Sequence, residues 1–442
     1  MAFSNPIVEA GVGGLAQLFV TKAVTPAEAT ETYLSRIERL DVGLSAVLDV
    51  DAAGARTAAA ASADRWREGR PLSPVDGAPL LIKCNIAVAG LPWHAGIGAY
   101  RDRIADADAA CVARLRAAGA VILGIVNMHE GALGAETDNP WFGRTHNPHR
   151  HGHTAGGSSG GSGAAVAAGL CAAALGTDTM GSVRIPSGYC GVFGHKPGLG
   201  AISTQGVIPL SITLDHVGVH ARSSPDCRAV LEACGDPNLT VDLGDGRIGV
   251  LDAQGRVPTE PAVEAAVART VARAEALGLT VERVALPGYD FGRLKRAGLL
   301  VSEAEGHAAH AQMLAAHPEG FSDDFRGMLK WGARQPEEKL AKAREELTRA
   351  AAMVREAFAP YAAVLMPTAP ETAFPFGQAP AGQADYTAIA DFTGQPATAF
   401  PVGMSEDGLP LSCQLVSNSD AMALALAQTL ALPVDTPEGF AG

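Results

Sequence analysis

The sequence is poor in positive charge. Its 442 residues contain 34 Lys and Arg residues against 47 Asp and Glu residues, which gives a formal net charge of −13, and the basic residues form no block. Nonspecific binding to DNA, RNA or an anionic lipid surface requires clustered positive charge, because it depends on displacing the counterions of the phosphates. The composition therefore argues against nucleic acid and against a membrane as partners.

Paired cysteines and long apolar segments are also missing. The seven cysteines are scattered without a CxxC pair, which is typical of reduced thiols in a cytoplasmic protein. The apolar part of the longest uncharged segment, Ala164 to Leu175, is shorter than the roughly 18 residues that a membrane helix needs. Residues 1–11 contain no basic segment followed by an apolar one, so they indicate no secretory signal. We expect a cytoplasmic protein.

The sequence does contain enough apolar material for a large core, since 47% of its residues are hydrophobic. Two apolar runs typical of buried strands, Ala78 to Ile82 and Ala120 to Asn127, flank the helical pattern of DAACVARLRAAG. A strand, a helix and a second strand in succession indicate a parallel sheet covered by helices, which is the α/β class. Further helical patterns lie at Thr259 to Gly278 and at Glu337 to Phe358.

Three interpretations fit the segment HTAGGSSGGSGAAVAAG, from His153 to Gly169. As a phosphate-binding loop it lacks the necessary lysine, because Ala164 follows Gly163. As a nucleophile elbow, residues 157–161 match the pattern G-x-S-x-G. As a purely structural element, the segment is a tight loop that leads into a closely packed helix. The segment alone does not decide between the last two interpretations.

Two more segments carry groups with chemical potential. A second serine, Ser182, lies 24 residues after Ser158. It ends the segment DTMGS, which follows a predicted strand. Consecutive backbone N–H groups around one hydroxyl are what an oxyanion hole for acyl transfer requires. A lysine, Lys83, ends the apolar strand LLIKCN. Because an ammonium group is costly to bury, this position favours a functional role over packing.

Together these segments resemble those of the amidase signature family, whose members hydrolyse amides, and in some cases esters or carbamates, with a Ser-cisSer-Lys triad. The resemblance covers nearly the whole chain and is weakest from Gly288 to Arg334. It includes VTPAEATETYLSRIERL, VDGAPLLIKCNIAVAGLP, GIVNMHEGALG, LDHVGVHARS, VLMPTAP and TGQPATAFPVGMSEDGLPLSCQLV. It implies an α/β fold with a mixed, mostly parallel twisted central sheet surrounded by helices.

We interpret residues 1–442 as a single amidase domain, because no low-complexity linker and no internal repeat divides them. The domain is expected to have a helical lead-in at 1–70 and a catalytic core with the signature segments at 71–230. A helical excursion at 259–360 and a return to the sheet at 361–442 complete it.

The resemblance assigns roles to individual residues. Ser182 is the expected nucleophile, Ser158 the bridging serine after a cis peptide bond, and Lys83 the base. Elementary chemistry agrees, because a hydroxyl attacks poorly until a base takes its proton and a desolvated lysine has a lowered pKa. The oxyanion hole is expected from the backbone N–H groups of Thr179, Met180, Gly181 and Ser182. No metal and no organic cofactor is implied.

Three positions depart from the family pattern. Cys84 follows the lysine where Asp is usual, Met180 stands where Gly is usual, and His195 replaces the usual Leu. Met180 bears most on function, because it places a flexible side chain in the oxyanion loop while its backbone donor survives. We therefore expect a change in the shape of the substrate pocket and an unchanged mechanism.

Other residues are expected to support the site. Asp178 and Arg184 flank Ser182 and are of types rarely buried unpaired, so we expect an ion pair or a hydrogen-bond network. The candidates for substrate binding are Met128, Gly157 and Trp331.

Four alternating histidines precede the glycine-rich segment, namely His146, His149, His151 and His153. Such a cluster can bind zinc, but a zinc site usually adds Cys or carboxylate ligands at more regular spacing. We therefore interpret the cluster as a polar loop and predict no metal site.

The favoured hypothesis is a free-standing hydrolase of small-molecule amides or carbamates (urethanes), acting beyond primary amides on bulkier aryl or alkyl ones. The Gly288 to Arg334 segment, with Phe321, Phe325 and Trp331, is the candidate for an apolar rim over Ser182, and core packing is the alternative. The sequence leaves a homodimer open.

Two other functions compete with this hypothesis. The main alternative is the glutaminase subunit of a tRNA-dependent amidotransferase, which would act with partner subunits. A binding module that kept the fold without catalysis is the third hypothesis. The intact set of Lys83, Ser158 and Ser182 argues against that third hypothesis.

Overall fold

Eleven strands form one sheet in residues 3–241 and 246–442, the part of the chain that this computed structural model describes. The strands are β1 Val47–Val50, β2 Pro79–Lys83, β3 Val121–Val126, β4 Asp138–Asn139, β5 Gly143–Arg144, β6 His146–Asn147, β7 Arg150–Thr154, β8 Ala173–Asp178, β9 Phe193–Lys196, β10 His216–Ala221, β11 Arg247–Leu251, β12 Thr280–Val284, β13 Ala363–Pro367, β14 Ala397–Met404 and β15 Pro410–Ser417. The short strands β4 to β7 form two separate hairpins outside this sheet.

Helices cover the sheet and supply most of the segment between β12 and β13. The helices are α1 Pro6–Glu9, α2 Gly11–Val20, α3 Pro26–Leu40, α4 Ala52–Arg67, α5 Ala110–Ala117, α6 Gly160–Ala167, α7 Arg184–Cys190, α8 Ser224–Cys234, α9 Pro261–Ala276, α10 Phe291–Ala316, α11 Asp323–Ala333, α12 Glu337–Phe358, α13 Ala388–Thr393 and α14 Asp420–Leu430. Short 3₁₀ turns lie at Asp41–Gly43, Gly98–Tyr100, Glu130–Ala132 and Pro318–Gly320. Among the described residues, no helix is both long and apolar enough to cross a bilayer.

The large sheet is mixed. Its strand order is β1-β3-β2-β8-β10-β9-β14-β15-β13-β11-β12. Parallel pairs join β3, β2 and β8 in one block and β13, β11 and β12 in another. The strands between these blocks pair antiparallel, and so does β1 at the edge. This architecture confirms the α/β class with a mixed sheet, and it confines the parallel pairing to the two blocks.

Local sequence signals explain where several helices begin and end. The α3 helix starts with a capping box, in which Thr25 and Glu28 satisfy each other's free backbone N–H groups, and Pro26 occupies the first turn. The predicted helix from Glu337 to Phe358 is confirmed with those bounds. The segment that resembles the family least, from Gly288 to Arg334, is mainly helical and holds α10 and α11.

The pairing of β2 with β8 positions the candidate site. These strands are parallel neighbours, with Ile82 opposite Leu175. The carboxyl ends of parallel strands meet at the same edge of a sheet, so Lys83 at the end of β2 lies near the segment that follows β8. Residues 178–182 occupy that place.

The α6 helix approaches the strands so closely that glycine is required. All eight of its residues are buried. A Cβ atom added at Gly161 would lie 2.4 Å from the carbonyl oxygen of Asn127 and 2.8 Å from that of Ala46. Backbone atoms cannot move aside as a flexible side chain can. The glycine-rich segment is therefore a tightly packed structural element as well as the carrier of Ser158.

We expect Gly161→Ala to destabilise the fold by about 1 to 3 kcal/mol, because the added methyl group forces the helix away from the backbone beneath it. Gly43→Ala is the matched control, since a Cβ atom at the exposed Gly43 meets nothing within 4 Å. Urea unfolding of both variants measures the difference. Equal stability of the two variants would show that α6 has room to relax.

Candidate active site

Lys83 is fully buried at the end of β2 and faces hydroxyl groups. Its Nζ lies 2.7 Å from Ser158 Oγ and 2.8 Å from Thr177 Oγ1. Asn85 also donates to Thr177 Oγ1, at 3.1 Å. No carboxylate in the described residues forms an ion pair with this lysine. Removal of the ammonium from water therefore lowers the pKa of Lys83 to about 7, and the more distant carboxylates of Asp215 and Asp178 oppose this only in part.

Ser158 joins the lysine to the second serine segment. It follows a cis peptide bond after Gly157 and is fully buried. The backbone N–H of His129 donates to the Ser158 carbonyl at 3.0 Å. The next residue, Ser159, donates its N–H to the carbonyl oxygen of Ser182 at 3.2 Å. The two serine segments are thus in direct contact.

Ser182 differs from Lys83 and Ser158 in its accessibility. It is only partly buried, whereas Lys83 and Ser158 have no exposed surface. A group that attacks a substrate must be accessible to it, while groups that only transfer a proton can be fully buried. Among these three side chains, Ser182 is therefore the one placed to meet a substrate.

The loop between β8 and α7 presents backbone N–H groups beside Ser182. The Gly181 N–H donates to the Asp178 carboxylate, so this predicted oxyanion donor is already engaged within the protein. For Thr179, Met180 and Ser182, the described residues supply no hydrogen-bond acceptor to the backbone N–H. Thr179 is fixed through its side chain, which donates to Asp215 at 2.6 Å. Of the four predicted oxyanion donors, the backbone N–H groups of Thr179, Met180 and Ser182 therefore remain available.

A buried arginine holds this loop in place. Arg184 uses its five N–H donors in five hydrogen bonds, two to Asp178 at 3.0 and 3.1 Å and one to Asp391 at 2.6 Å. The remaining two go to the Thr387 carbonyl and to Gln414 Oε1, each at 2.8 Å. Although burial alone would raise the pKa of Asp178, the charge and hydrogen bonds of Arg184 outweigh it and lower that pKa. The structure thus contains the predicted Asp178–Arg184 ion pair.

Sequence reasoning missed several of these partners. Asp391, Gln414 and Thr387 lie more than 200 residues beyond Arg184 in the chain, and no local pattern connects them with it. The sequence contains one weak indication of Thr177, because this polar residue lies inside the buried strand β8. A polar side chain in such a strand needs a partner, and Lys83 supplies it.

The predicted substrate-binding residues lie in different surroundings. Met128 is buried, and its carbonyl accepts a hydrogen bond from Asn139 at 2.9 Å. Gly157 lies against the backbone of residues 135–136, where a Cβ atom has no room. Trp331 is 49% exposed on α11, with Lys339 Nζ at 5.1 Å from the centre of its ring.

The aromatic residues predicted for a rim lie mainly in the core. Phe321 and Phe325 are each 2% exposed and stack on one another, with ring centres 6.1 Å apart. The Phe325 ring fills the space next to Gly131. For these two residues the alternative of core packing holds.

The histidine cluster is divided among separate contacts. His146 and His151 stack with ring centres 3.8 Å apart, and His149 Nε2 lies 3.0 Å from the Cys190 carbonyl. In the described ranges, no three or more His, Cys, Asp or Glu side chains are grouped as metal ligands.

Comparisons with known proteins identify the family of this chain. The family model described as Amidase matches residues 28–421. A relative from Synechococcus sp. (strain CC9311), a glutamyl-tRNA(Gln) amidotransferase subunit, is 32% identical over 89% of this chain and 91% of its own. A solved amidase structure superimposes with a TM-score of 0.87 at 32% identity, covering 94% of this chain and 98% of that one.

A second solved structure, native peptide amidase from Stenotrophomonas maltophilia, has a TM-score of 0.87 at 27% identity. The match covers 98% of this chain and 99% of the peptide amidase. The family model covers most of the sequence, and the relatives match over nearly their full length. The chain therefore belongs to the amidase family, the amidase signature enzymes that its lysine and serine segments resemble.

Proposed function

We propose that this protein hydrolyses the C–N bond of amides through an acyl-enzyme on Ser182, activated by Ser158 and Lys83. The observation that carries the proposal is a fully buried lysine with a pKa of about 7, whose Nζ lies 2.7 Å from the Ser158 hydroxyl. A lysine in this condition is uncharged in a large fraction of molecules near neutral pH and accepts a proton. The Ser158 loop contacts the Ser182 backbone through the Ser159 N–H, and Ser182 is partly exposed.

The proposed reaction proceeds in two halves. In the first, Ser182 Oγ attacks the amide carbon while its proton passes to Ser158, whose own proton passes to Lys83. The oxyanion of the tetrahedral intermediate is bound by backbone N–H groups from the available set of Thr179, Met180 and Ser182. The proton then returns to the departing nitrogen, the C–N bond breaks, and the amine leaves. In the second half, water attacks the acyl-enzyme by the same proton route, and the carboxylic acid is released.

For the substrate, our first candidate is an amide or carbamate with a bulky aryl or alkyl group. Met180 supports this candidate, because this residue is partly exposed two positions before Ser182 and its unbranched thioether can move to admit groups of different shape. The likeness to a peptide amidase supports a bulky substrate, since the name of that protein describes an amidase of peptides.

The second candidate is glutamine hydrolysis as one subunit of an amidotransferase. The curated relatives favour this candidate, because subunits of glutamyl-tRNA(Gln) amidotransferases match this chain at 30 to 33% identity over nearly their whole length. Both candidates use the same acyl-enzyme chemistry. They differ in the size of the substrate and in the need for partner subunits.

We expect Ser182→Ala to reduce turnover to background while the fold remains intact, because the atom that becomes acylated is gone. Ser158→Ala and Lys83→Ala should each lower kcat/KM by about a thousandfold or more, since each breaks the proton route. The Lys83→Ala/Ser158→Ala double variant should be little worse than either single one, because the two residues act as a unit.

Steady-state kinetics with circular dichroism as a check on folding would test this set. Ser405→Ala, in the turn between β14 and β15, is the control and should retain full activity. Normal turnover by Ser182→Ala would remove Ser182 from the mechanism.

The activity should depend on the protonation state of Lys83. Because burial lowers the pKa of this lysine to about 7, kcat/KM should rise with pH through that value and level off above it. Lys83→Arg should be inactive over the whole range, since a guanidinium stays protonated. A wild-type profile that falls as pH increases through neutrality would contradict the role of Lys83 as a base.

A matched series of amides, esters and carbamates with glutamine as one member should separate the two substrate candidates. We expect turnover of aryl or alkyl amides and carbamates by the purified chain without added proteins. Size-exclusion chromatography of the same sample shows whether the active species contains only this chain. Turnover confined to glutamine or another small primary amide would favour the amidotransferase candidate.

A further inference from the structure

The helix α10 reaches the candidate active site through two residues on one face. Gly298 and Glu305 are seven positions apart, which places them on the same side of a helix. Glu305 accepts hydrogen bonds from the side chains of Ser211 and Thr213, both at 2.6 Å. Four residues after Ser211, Asp215 in turn accepts from Thr179. One end of this face is therefore connected with the loop that carries Ser182.

At the other end of this face lies Gly298, and neighbouring side chains occupy the space that a side chain there would need. A Cβ atom there would lie 2.8 Å from Met180 Sδ and 2.7 Å from the nearest ring carbon of Phe392. Such distances are too short for carbon contacts, so the two side chains fill the place of a methyl group. Met180, one of the three residues that depart from the family pattern, thus packs against α10.

The backbone of α10 does not itself require glycine at this position. Gly298 lies in the interior of a 26-residue helix and has no left-handed φ. In a helix interior, glycine is less favourable than alanine. The contact with Met180 and Phe392 is the feature of the structure that explains why this residue is small.

Met180 is coupled to the reacting groups through its own backbone. Its carbonyl accepts a hydrogen bond from Thr387 Oγ1 at 2.7 Å, and its N–H is one of the three predicted oxyanion donors that remain available. Ser182 follows two residues later. With the backbone held by Thr387, a change at Gly298 acts mainly on the position of the thioether, which is the flexible end of the side chain.

We propose that Gly298 and Met180 form a specificity-determining pair, in which the missing side chain on α10 lets the Met180 thioether withdraw and so sets the width of the substrate site beside Ser182. The inference rests on the proposed acyl-enzyme function but holds for either substrate candidate. Met180 takes up the space that a larger residue at 298 would occupy. A side chain at 298 pushes the thioether toward the substrate.

The test compares Gly298→Ala, Met180→Ala and the Gly298→Ala/Met180→Ala double variant on two series of amides. One series is graded in the size of the acyl group, and the other in the size of the leaving amine. We expect Gly298→Ala to lower kcat/KM for bulky members relative to small ones by roughly tenfold or more in at least one series. In the Met180→Ala background the same substitution should change this ratio much less, because no thioether remains to be displaced.

Gly327→Ala is the matched control. Gly327 is an exposed glycine within α11, and a Cβ atom there meets nothing within 4 Å, so its substitution should leave the ratio unchanged. The ratio is read from kcat/KM for each pair of substrates. A ratio that is the same in Gly298→Ala and in the wild type, in both series, would overturn the proposal.

Thermal unfolding of the same variants gives a readout that does not depend on activity. The loss of Tm caused by Gly298→Ala should be smaller in the Met180→Ala background, with the remaining loss due to the Phe392 ring. Equal losses in both backgrounds would show that Gly298 and Met180 are not coupled. If the wild type turned over no amide at all, the proposed function would fail, while the unfolding data would still report on this contact.

Discussion

The burial of the Lys83 amine among hydroxyl groups is the interaction on which the candidate site depends. A charged ammonium in this position lacks a carboxylate partner among the described residues, so burial favours the neutral form. Ser158 and Thr177 hold the nitrogen at hydrogen-bond distance without stabilising its charge as a carboxylate would. The same feature that makes this lysine unfavourable as a structural cation makes it suitable as a base.

The rest of the fold positions the buried Lys83 amine and the two serine loops relative to one another. The parallel pairing of β2 with β8 brings Lys83 to the edge where the Ser182 loop begins. The glycines of α6 allow the Ser158 loop to approach the strands to a distance that no side chain would permit. Arg184 then fixes the Ser182 loop through its hydrogen bonds to Asp178. Because all five of its donors are used, removal of any one acceptor leaves a buried donor unpaired.

Much of this architecture could be predicted from sequence because its signals are local. A few consecutive residues are enough to recognise the capping box of α3, the apolar run of β2 and the glycine-rich segment. The partners of Arg184 could not be found in this way, because Asp391 and Gln414 reach it only through the fold. The same holds for the contact between Met180 and Gly298, which joins a residue of the loop before Ser182 to a helix more than 100 residues away.

Site-resolved mass spectrometry of the enzyme labelled with an aryl carbamate or fluorophosphonate would show directly whether Ser182 carries the acyl group, as we propose. Trypsin cleavage after Arg150 and Arg184 leaves both candidate serines on one peptide, so fragment ions must locate the adduct. We expect a single adduct on Ser182 that is lost in Lys83→Ala. An adduct on Ser158, or labelling that persists in Ser182→Ala, would contradict it.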